Sequence, residues 1–121
     1  IRDLAQPRLA FPIGYCLDTC HLYASGFDVS TKKGLDATLA SAESILTLDL
    51  VPVIHTNDSK GDLGSRLDRH ANIGEGKIGL DGFRRILNHR LLKSKAFVLE
   101  TPIDNPGDDQ RNVDALKSLV A

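Results

Sequence analysis

The stretch IGYCLD, residues 13–18, is a short apolar run that ends in a carboxylate. The stretches VPVIH (51–55) and AFVLE (96–100) repeat this arrangement. Runs that are apolar at nearly every position are typical of parallel strands covered on both faces, whereas a half-exposed hairpin strand would alternate apolar and polar residues. The sequence therefore predicts three buried parallel strands.

Amphipathic segments lie between and after these strands, and each carries apolar residues at helical spacing. The three stripes are Leu35, Leu39, Ala42, Ile45 and Leu46; Leu80, Phe83, Ile86, Leu87 and Leu91; and Val113, Leu116, Leu119 and Val120. Right-handed crossovers of this length connect parallel neighbours, so the order of strands and helices predicts an α/β fold. The connection over residues 57–79 is long and polar, which is typical of functional or disordered loops.

Composition narrows the class of protein. The chain has 121 residues, of which 41% are hydrophobic and 26% charged, with a net charge of −1, as in globular domains. It contains no apolar run long enough for a membrane span and no secretory leader, and two cysteines are too few for a disulfide framework. We therefore expect a cytoplasmic protein with at most one domain. Because the chain has no Met and begins with Ile1, we also expect a piece of a longer protein.

A residue able to bind a metal ion stands at the end of each predicted strand: Asp18, His55 and Glu100. Taken singly, each has an ordinary structural explanation as a turn cap, a hydrogen-bonded core histidine or an ion-pair partner. The carboxyl ends of parallel strands meet on one face, where active sites of such folds are built. The recurrence at all three strand ends therefore predicts three convergent ligands.

Further ligand types follow in two places. His21 lies one turn beyond Asp18, and Asp68 and His70 point the same way if the chain is extended there. Carboxylate and imidazole together suit zinc or another transition metal. The spacing of Asp18 and His21 permits one shared metal ion or two adjacent ones, and Asp68 and His70 could together chelate one ion.

Three other features favour structural explanations. His89 is expected on the surface near the negative end of a helix. Cys16 is expected inside its strand as a small hydrophobe, and a thiolate site with Cys20 is not favoured because the chain has no further thiol. The run GEGKIG (74–79) fits the dinucleotide pattern only weakly because no strand precedes it, so we expect a tight loop before the next helix. The N-terminus of that helix would still favour a nearby phosphate.

Four motifs resemble the endonuclease IV (deoxyribonuclease IV) family of apurinic/apyrimidinic endonucleases in order and spacing. They are GYCLDTCH (14–21), HTNDSK (55–60) continuing through GSRLDRH (64–70), NIGEG (72–76) and VLETP (98–102). The resemblance covers about residues 13–102 of this chain, and these motifs correspond to the C-terminal half of the proteins of that family. It implies that residues 1–121 are the C-terminal portion of a single (β/α)8 TIM barrel of the xylose isomerase-like type, incomplete in this chain.

The resemblance also implies a chemistry: zinc-dependent hydrolysis of double-stranded DNA on the 5′ side of abasic sites in base-excision repair, leaving a 3′-hydroxyl. By this resemblance the complete enzyme holds three zinc ions. His21, Asp68 and His70 would hold one, and Asp18, His55 and Glu100 a second, together with a bridging glutamate that this chain lacks. The ligands of the remaining zinc also lie outside this chain, so the chain alone is expected to be inactive.

Lys60 and Arg69 are candidate contacts to DNA phosphates. The loop that contains them is nearly balanced in charge, but bound divalent cations would make it positive, so the net charge does not exclude DNA. The full-length enzyme is expected to be a monomer.

Two alternatives remain open at this stage. A sugar isomerase or epimerase on a related metal-dependent barrel would use one or two metal ions. The pair formed by Asp68 and His70 argues against it, because a third metal position suits a phosphodiester better than a sugar. The chain as it stands is also compatible with a non-catalytic metal-binding fragment.

Overall fold

Two small sheets form the framework of the computed structural model, which describes all residues 1–121. The first is parallel, in the order β1-β2-β5, and the second pairs β3 with β4 in antiparallel fashion. The strands are β1 (Cys16–Asp18), β2 (Val53–His55), β3 (Asp58–Ser59), β4 (His70–Ala71) and β5 (Ala96–Val98). The three predicted parallel strands are confirmed, each with only three residues.

Beyond a short N-terminal helix, helices alternate with the parallel strands along the chain, as in an α/β fold. They are α1 (Arg2–Ala5), α2 (Thr19–Ala24), α3 (Lys32–Leu46), α4 (Gly79–Asn88) and α5 (Asp108–Leu119), with short 3-10 helices at Gln6–Arg8 and Leu48–Leu50. Helix α3 begins at a capping threonine, because the Thr31 hydroxyl oxygen accepts the Gly34 N–H at 3.0 Å. No helix combines the length and the apolar character that crossing a membrane requires.

The core lies on one side of the parallel sheet. Leu17, Ile54 and Phe97 are aligned across the three strands and pack against the buried side chains of the helices. On the opposite side Cys16 and Val98 are exposed. The prediction of three buried strands is therefore wrong for β1 and β5, because both are edge strands and this chain covers only one of their faces.

The predicted apolar stripes are confirmed at their centres and wrong at their margins. Leu35, Leu39, Phe83, Ile86, Leu87, Leu116 and Leu119 are buried. Ile45, however, is exposed on α3, and so is Leu80 in the first turn of α4. Leu91 and Val120 are exposed because α4 and α5 end before them.

The long connection over residues 57–79 is ordered around one carboxylate. Asp58 is fully buried and accepts the backbone N–H groups of Gly74, Gly76 and Ile78 at 2.9–3.0 Å. A Cβ at Gly76 would lie 2.5 Å from the Asp58 Oδ1 atom, so only glycine allows this approach. The expected tight loop before α4 is confirmed, and its amides bind an internal carboxylate.

Candidate metal centre

The three strand-end residues meet at the carboxyl edge of the parallel sheet. Asp18 and His55 are paired in the register of β1 and β2, and Glu100 lies two residues beyond the end of β5. The His55 Nδ1 atom is 2.7 Å from Glu100 Oε1 and 3.8 Å from Asp18 Oδ2. One ligand atom from each residue lies within 4.8 Å of the others. This is the convergence that the strand pattern predicted.

A second group adjoins the first. Asp68 lies between two histidines: its Oδ2 atom is 3.3 Å from His21 Nδ1, and its Oδ1 atom is 3.8 Å from His70 Nε2. His70 Nε2 is also 3.9 Å from Asp18 Oδ2, so the two groups are in contact. Asp68 and His70 therefore do face each other, as an extended chain predicts.

His21 belongs to neither of the two compact groups whose ligand atoms all lie within 4.8 Å of one another. The second compact group consists of Cys20, Asp68 and His70. Burial raises the pKa of the Cys20 thiol to about 11, so this side chain is a neutral thiol at pH 7. No pattern in the sequence indicated that Cys20 would lie beside this pair. Cys16, in contrast, is exposed, which corrects the expectation that it is buried.

Asp18 has two roles because its two oxygens face different partners. As the N-cap of α2, its Oδ1 atom accepts the His21 N–H at 3.0 Å. Its Oδ2 atom faces His55 and His70. The D-x-x-H spacing thus follows from a capped helix that starts directly at the end of β1.

The imidazole of His70 is oriented by the main chain. Its Nδ1 atom is 2.8 Å from the carbonyl oxygen of Glu100, which can only accept a hydrogen bond. This contact places a proton on Nδ1 and turns the Nε2 atom toward the two carboxylates. Histidines that bind metals are commonly oriented in this way by a carbonyl behind the ring.

Asn57 is a residue of the site that the sequence interpretation missed. It is fully buried, and its side-chain amide bonds both Asp18 and the backbone of Glu100. The local sequence carried no signal for this role, because it depends on the strands that lie on either side of β2.

The remaining predicted residues lie on the periphery. Lys60 and Arg69 are exposed and face each other across the β3–β4 hairpin, with the Lys60 N–H 2.9 Å from the Arg69 carbonyl oxygen. His89 stands at the end of α4 as predicted, but it is not a freely exposed surface residue. Its Nε2 atom is 3.1 Å from Asp36 Oδ1, and only 16% of its side chain is exposed.

Parallel strands that alternate with helices and gather polar side chains at their carboxyl ends are the architecture of part of a TIM barrel. The chain belongs to the family described as xylose isomerase-like TIM barrel, whose model matches residues 3–119.

Several curated relatives carry the name "Probable endonuclease 4", and two of them illustrate the match. The protein of Solibacter usitatus is 61% identical over 120 residues, which cover 99% of this chain and 41% of that protein. The protein of Methanoculleus marisnigri is 45% identical over 108 residues, which cover 89% and 38%. The chain therefore spans about two fifths of the length of these relatives.

A solved structure gives the same result. The crystal structure of endonuclease IV from Thermus thermophilus matches with a TM-score of 0.78 and 41% identity, covering 98% of this chain and 42% of that one. The resemblance to endonuclease IV and the incomplete TIM barrel are thus confirmed.

Proposed function

We propose that this chain supplies part of the active site of a zinc-dependent endonuclease that hydrolyses double-stranded DNA on the 5′ side of abasic sites, leaving a 3′-hydroxyl, in base-excision repair. The observation that carries the proposal is the meeting of Asp18, His55 and Glu100 beside a second group, in a chain similar to endonuclease IV. In this proposal residues 1–121 are the C-terminal portion of a single barrel domain whose N-terminal half is absent.

The donor chemistry of both groups fits zinc. Asp18, His55 and Glu100 would hold one ion. Asp68 and His70 would hold another together with His21, which lies 3.3 Å from Asp68 although it is outside the compact groups. Each set is a mixture of carboxylate oxygens and imidazole nitrogens. Such ligand sets suit catalytic zinc, which keeps a position open for water or substrate, whereas four thiolates close a site. The side chains of His55 and Glu100 are 33% and 49% exposed, so solvent can reach this position. The bridging glutamate and the ligands of a third zinc would come from the other portion of the barrel.

The chain's own residues would orient the reaction. Bound zinc would lower the pKa of a water molecule and neutralise charge on the phosphodiester oxygens. Asp18 Oδ2, which faces both His55 and His70, joins the two groups, and His70 is held by the Glu100 carbonyl. Lys60 and Arg69 on the hairpin would contact backbone phosphates, which position DNA without reading its sequence.

The alternative of a sugar isomerase or epimerase is less well supported. Such an enzyme needs only one or two metal ions to bind a neutral sugar. The group around Asp68 and His70 offers a further metal position, and several clustered metal ions suit a charged phosphodiester better. The relatives whose names describe an activity are endonucleases.

Zinc binding by two matched histidine variants tests the proposal. Because His55 is placed in the first group, we expect His55→Ala to lose about one equivalent of tightly bound zinc relative to the unaltered chain. The control is His89→Ala. This variant also removes a histidine paired with a carboxylate, that of Asp36, but His89 belongs to neither candidate metal group. Bound zinc is measured by elemental analysis after dialysis. Equal zinc content in the two variants, or no zinc in the unaltered folded chain, would contradict the assignment.

A second measurement addresses activity. We expect the 121-residue chain alone to incise an abasic duplex poorly, since the bridging glutamate and the third set of ligands are not in it. Gel analysis of a labelled abasic duplex checks this expectation. Efficient incision by the purified chain, lost in His55→Ala, would show that these residues suffice.

A further inference from the structure

Asn57 lies directly beneath the candidate metal centre and touches two of its ligands. The side chain is fully buried two residues beyond the end of β2. Its Nδ2 atom donates to Asp18 Oδ2 at 3.0 Å, and its Oδ1 atom accepts the backbone N–H of Glu100 at 2.8 Å. The amide therefore spans from the end of β1 to the segment that follows β5.

The orientation of this amide is fixed by its partners. An ionised carboxylate only accepts hydrogen bonds, and a backbone N–H only donates. A flipped amide would place two acceptors face to face at Asp18 and two donors face to face at Glu100. The amide of Asn57 therefore has one favourable orientation, in which it donates to the same Asp18 oxygen that faces the two histidines.

The backbone of Asn57 is held separately. The Thr19 hydroxyl accepts the Asn57 N–H at 2.9 Å and donates to the Asn57 carbonyl oxygen at 2.7 Å. Thr19 is itself buried and directly follows Asp18. The side-chain amide is thus anchored to a fixed backbone, and its two hydrogen bonds are independent of those that hold that backbone.

We propose that Asn57 is a positioning residue that sets the spacing of Asp18 and Glu100 for metal binding. The inference rests on the proposed function, in which Asp18, His55 and Glu100 share a zinc ion. Without a cation, the negative charges of Asp18 and Glu100 repel each other and favour a wider site. Hydrogen bonds from one rigid amide to both segments oppose this widening, so less reorganisation is needed when the metal binds.

Partners of this kind behind metal ligands are commonly worth about 10- to 100-fold in metal affinity. We therefore expect Asn57→Ala to bind zinc about 10- to 100-fold more weakly than the unaltered chain. The visible absorption of Co²⁺ bound in place of zinc should also change, because the geometry of the oxygen ligands changes. Both Thr19 hydrogen bonds use backbone atoms of residue 57, so we expect the variant to keep them.

Asn112→Ala is the matched control. Asn112 is a buried asparagine of α5 whose side chain makes three hydrogen bonds, to the Ile73 N–H, the Asp108 carbonyl oxygen and the Asn72 side chain. None of these partners is a candidate ligand. We expect this variant to lower the melting temperature while leaving the zinc affinity and the Co²⁺ spectrum unchanged.

The experiment uses the full 121-residue chain, with zinc affinity measured by competition against a chelator and folding by circular dichroism. Asn57→Ser, whose side chain is too short to reach both partners, provides a second variant should Asn57→Ala not fold. Unchanged affinity and spectrum in a folded Asn57 variant, or equal weakening by Asn112→Ala, would overturn the inference and leave the proposed function intact. No zinc binding by the unaltered chain would overturn both.

Discussion

Asp58 is a buried carboxylate whose charge is balanced by the main chain. It has no solvent exposure and no ion-pair partner, and its oxygens accept the N–H groups of Ser59, Gly74, Gly76, Ile78 and Gly79. Converging backbone N–H groups form anion-binding concavities in many proteins. Here the anion is part of the protein, so these amides of the glycine-rich run hold a carboxylate and are not available to a phosphate.

We predict that Asp58→Asn destabilises the chain by about 3 kcal/mol or more, since an amide NH₂ would face N–H donors that then remain buried without partners. The free energy of unfolding in urea checks this value. The control is Asp62→Asn in the same connection, where the side chain is 82% exposed and only a surface ion pair with Lys77 is lost. That change should cost less than about 1 kcal/mol. Equal stability of the two variants would contradict the role given to Asp58.

The start of helix α3 depends on Asp28, which lies just before the helix. The Ser30 N–H and hydroxyl donate to its Oδ1 atom at 2.9 and 2.6 Å, and the Thr31 hydroxyl donates to its Oδ2 atom at 2.6 Å. Burial by itself would raise the pKa of Asp28, but these hydrogen bonds outweigh it and hold the pKa below the usual 3.8. Thr31, which caps α3, is thereby fixed in place.

This lowered pKa predicts an acid dependence of stability. The unfolded chain binds a proton at Asp28 more readily than the folded chain does, so the stabilisation is complete above the usual pKa of 3.8 and disappears as the pH falls through the lower folded value. We expect Asp28→Asn to make the fall of melting temperature between about pH 5 and pH 2 shallower. Asp3→Asn, at a side chain that is 97% exposed, should leave the curve unchanged. Parallel curves for Asp28→Asn and the unaltered chain would exclude this role.

The elements differ in how far the sequence determines them. Strands β1, β2 and β5 lie in near-continuous apolar runs, helices α3, α4 and α5 carry apolar residues at helical spacing, and all six were predicted. Helix α2 has six residues and β3 and β4 two each, so no period can develop in them. Their formation depends on tertiary contacts such as those of Asp58, which local sequence does not reveal.

The residues of the candidate site also differ in whether the sequence could predict them. Asp18, His55 and Glu100 could be predicted to meet because each follows a strand and parallel strands end on one face. Asn57 and Cys20 could not, since their roles depend on which side chains neighbouring elements bring to them. Asn57 has its role only because β1 and the end of β5 lie on either side of β2.

The whole molecule is an α/β layer with one covered face. Helices pack on the side of Leu17, Ile54 and Phe97, while the side of Cys16 and Val98 is open. A complete TIM barrel has eight strands and about 250 residues, with this second side turned to its interior. The three parallel strands of this chain thus expose a surface that a closed barrel buries.

The two cysteines report on this open face. Cys16 is exposed on it, whereas Cys20 is fully buried and burial raises its pKa to about 11. Burial also raises the pKa of the Cys16 thiol above its usual 9.0, so the difference between the two cysteines rests mainly on access. We therefore expect a thiol reagent at about pH 8 to modify Cys16 of the folded, metal-free chain in the more rapid phase and Cys20 only after denaturation. Mass spectrometry of peptides identifies the site, and Cys16→Ser should remove the rapid phase while Cys20→Ser retains it. Protection of Cys16 in the folded chain would show that the open face is covered in solution, for example by a second copy, and would contradict the exposure described above.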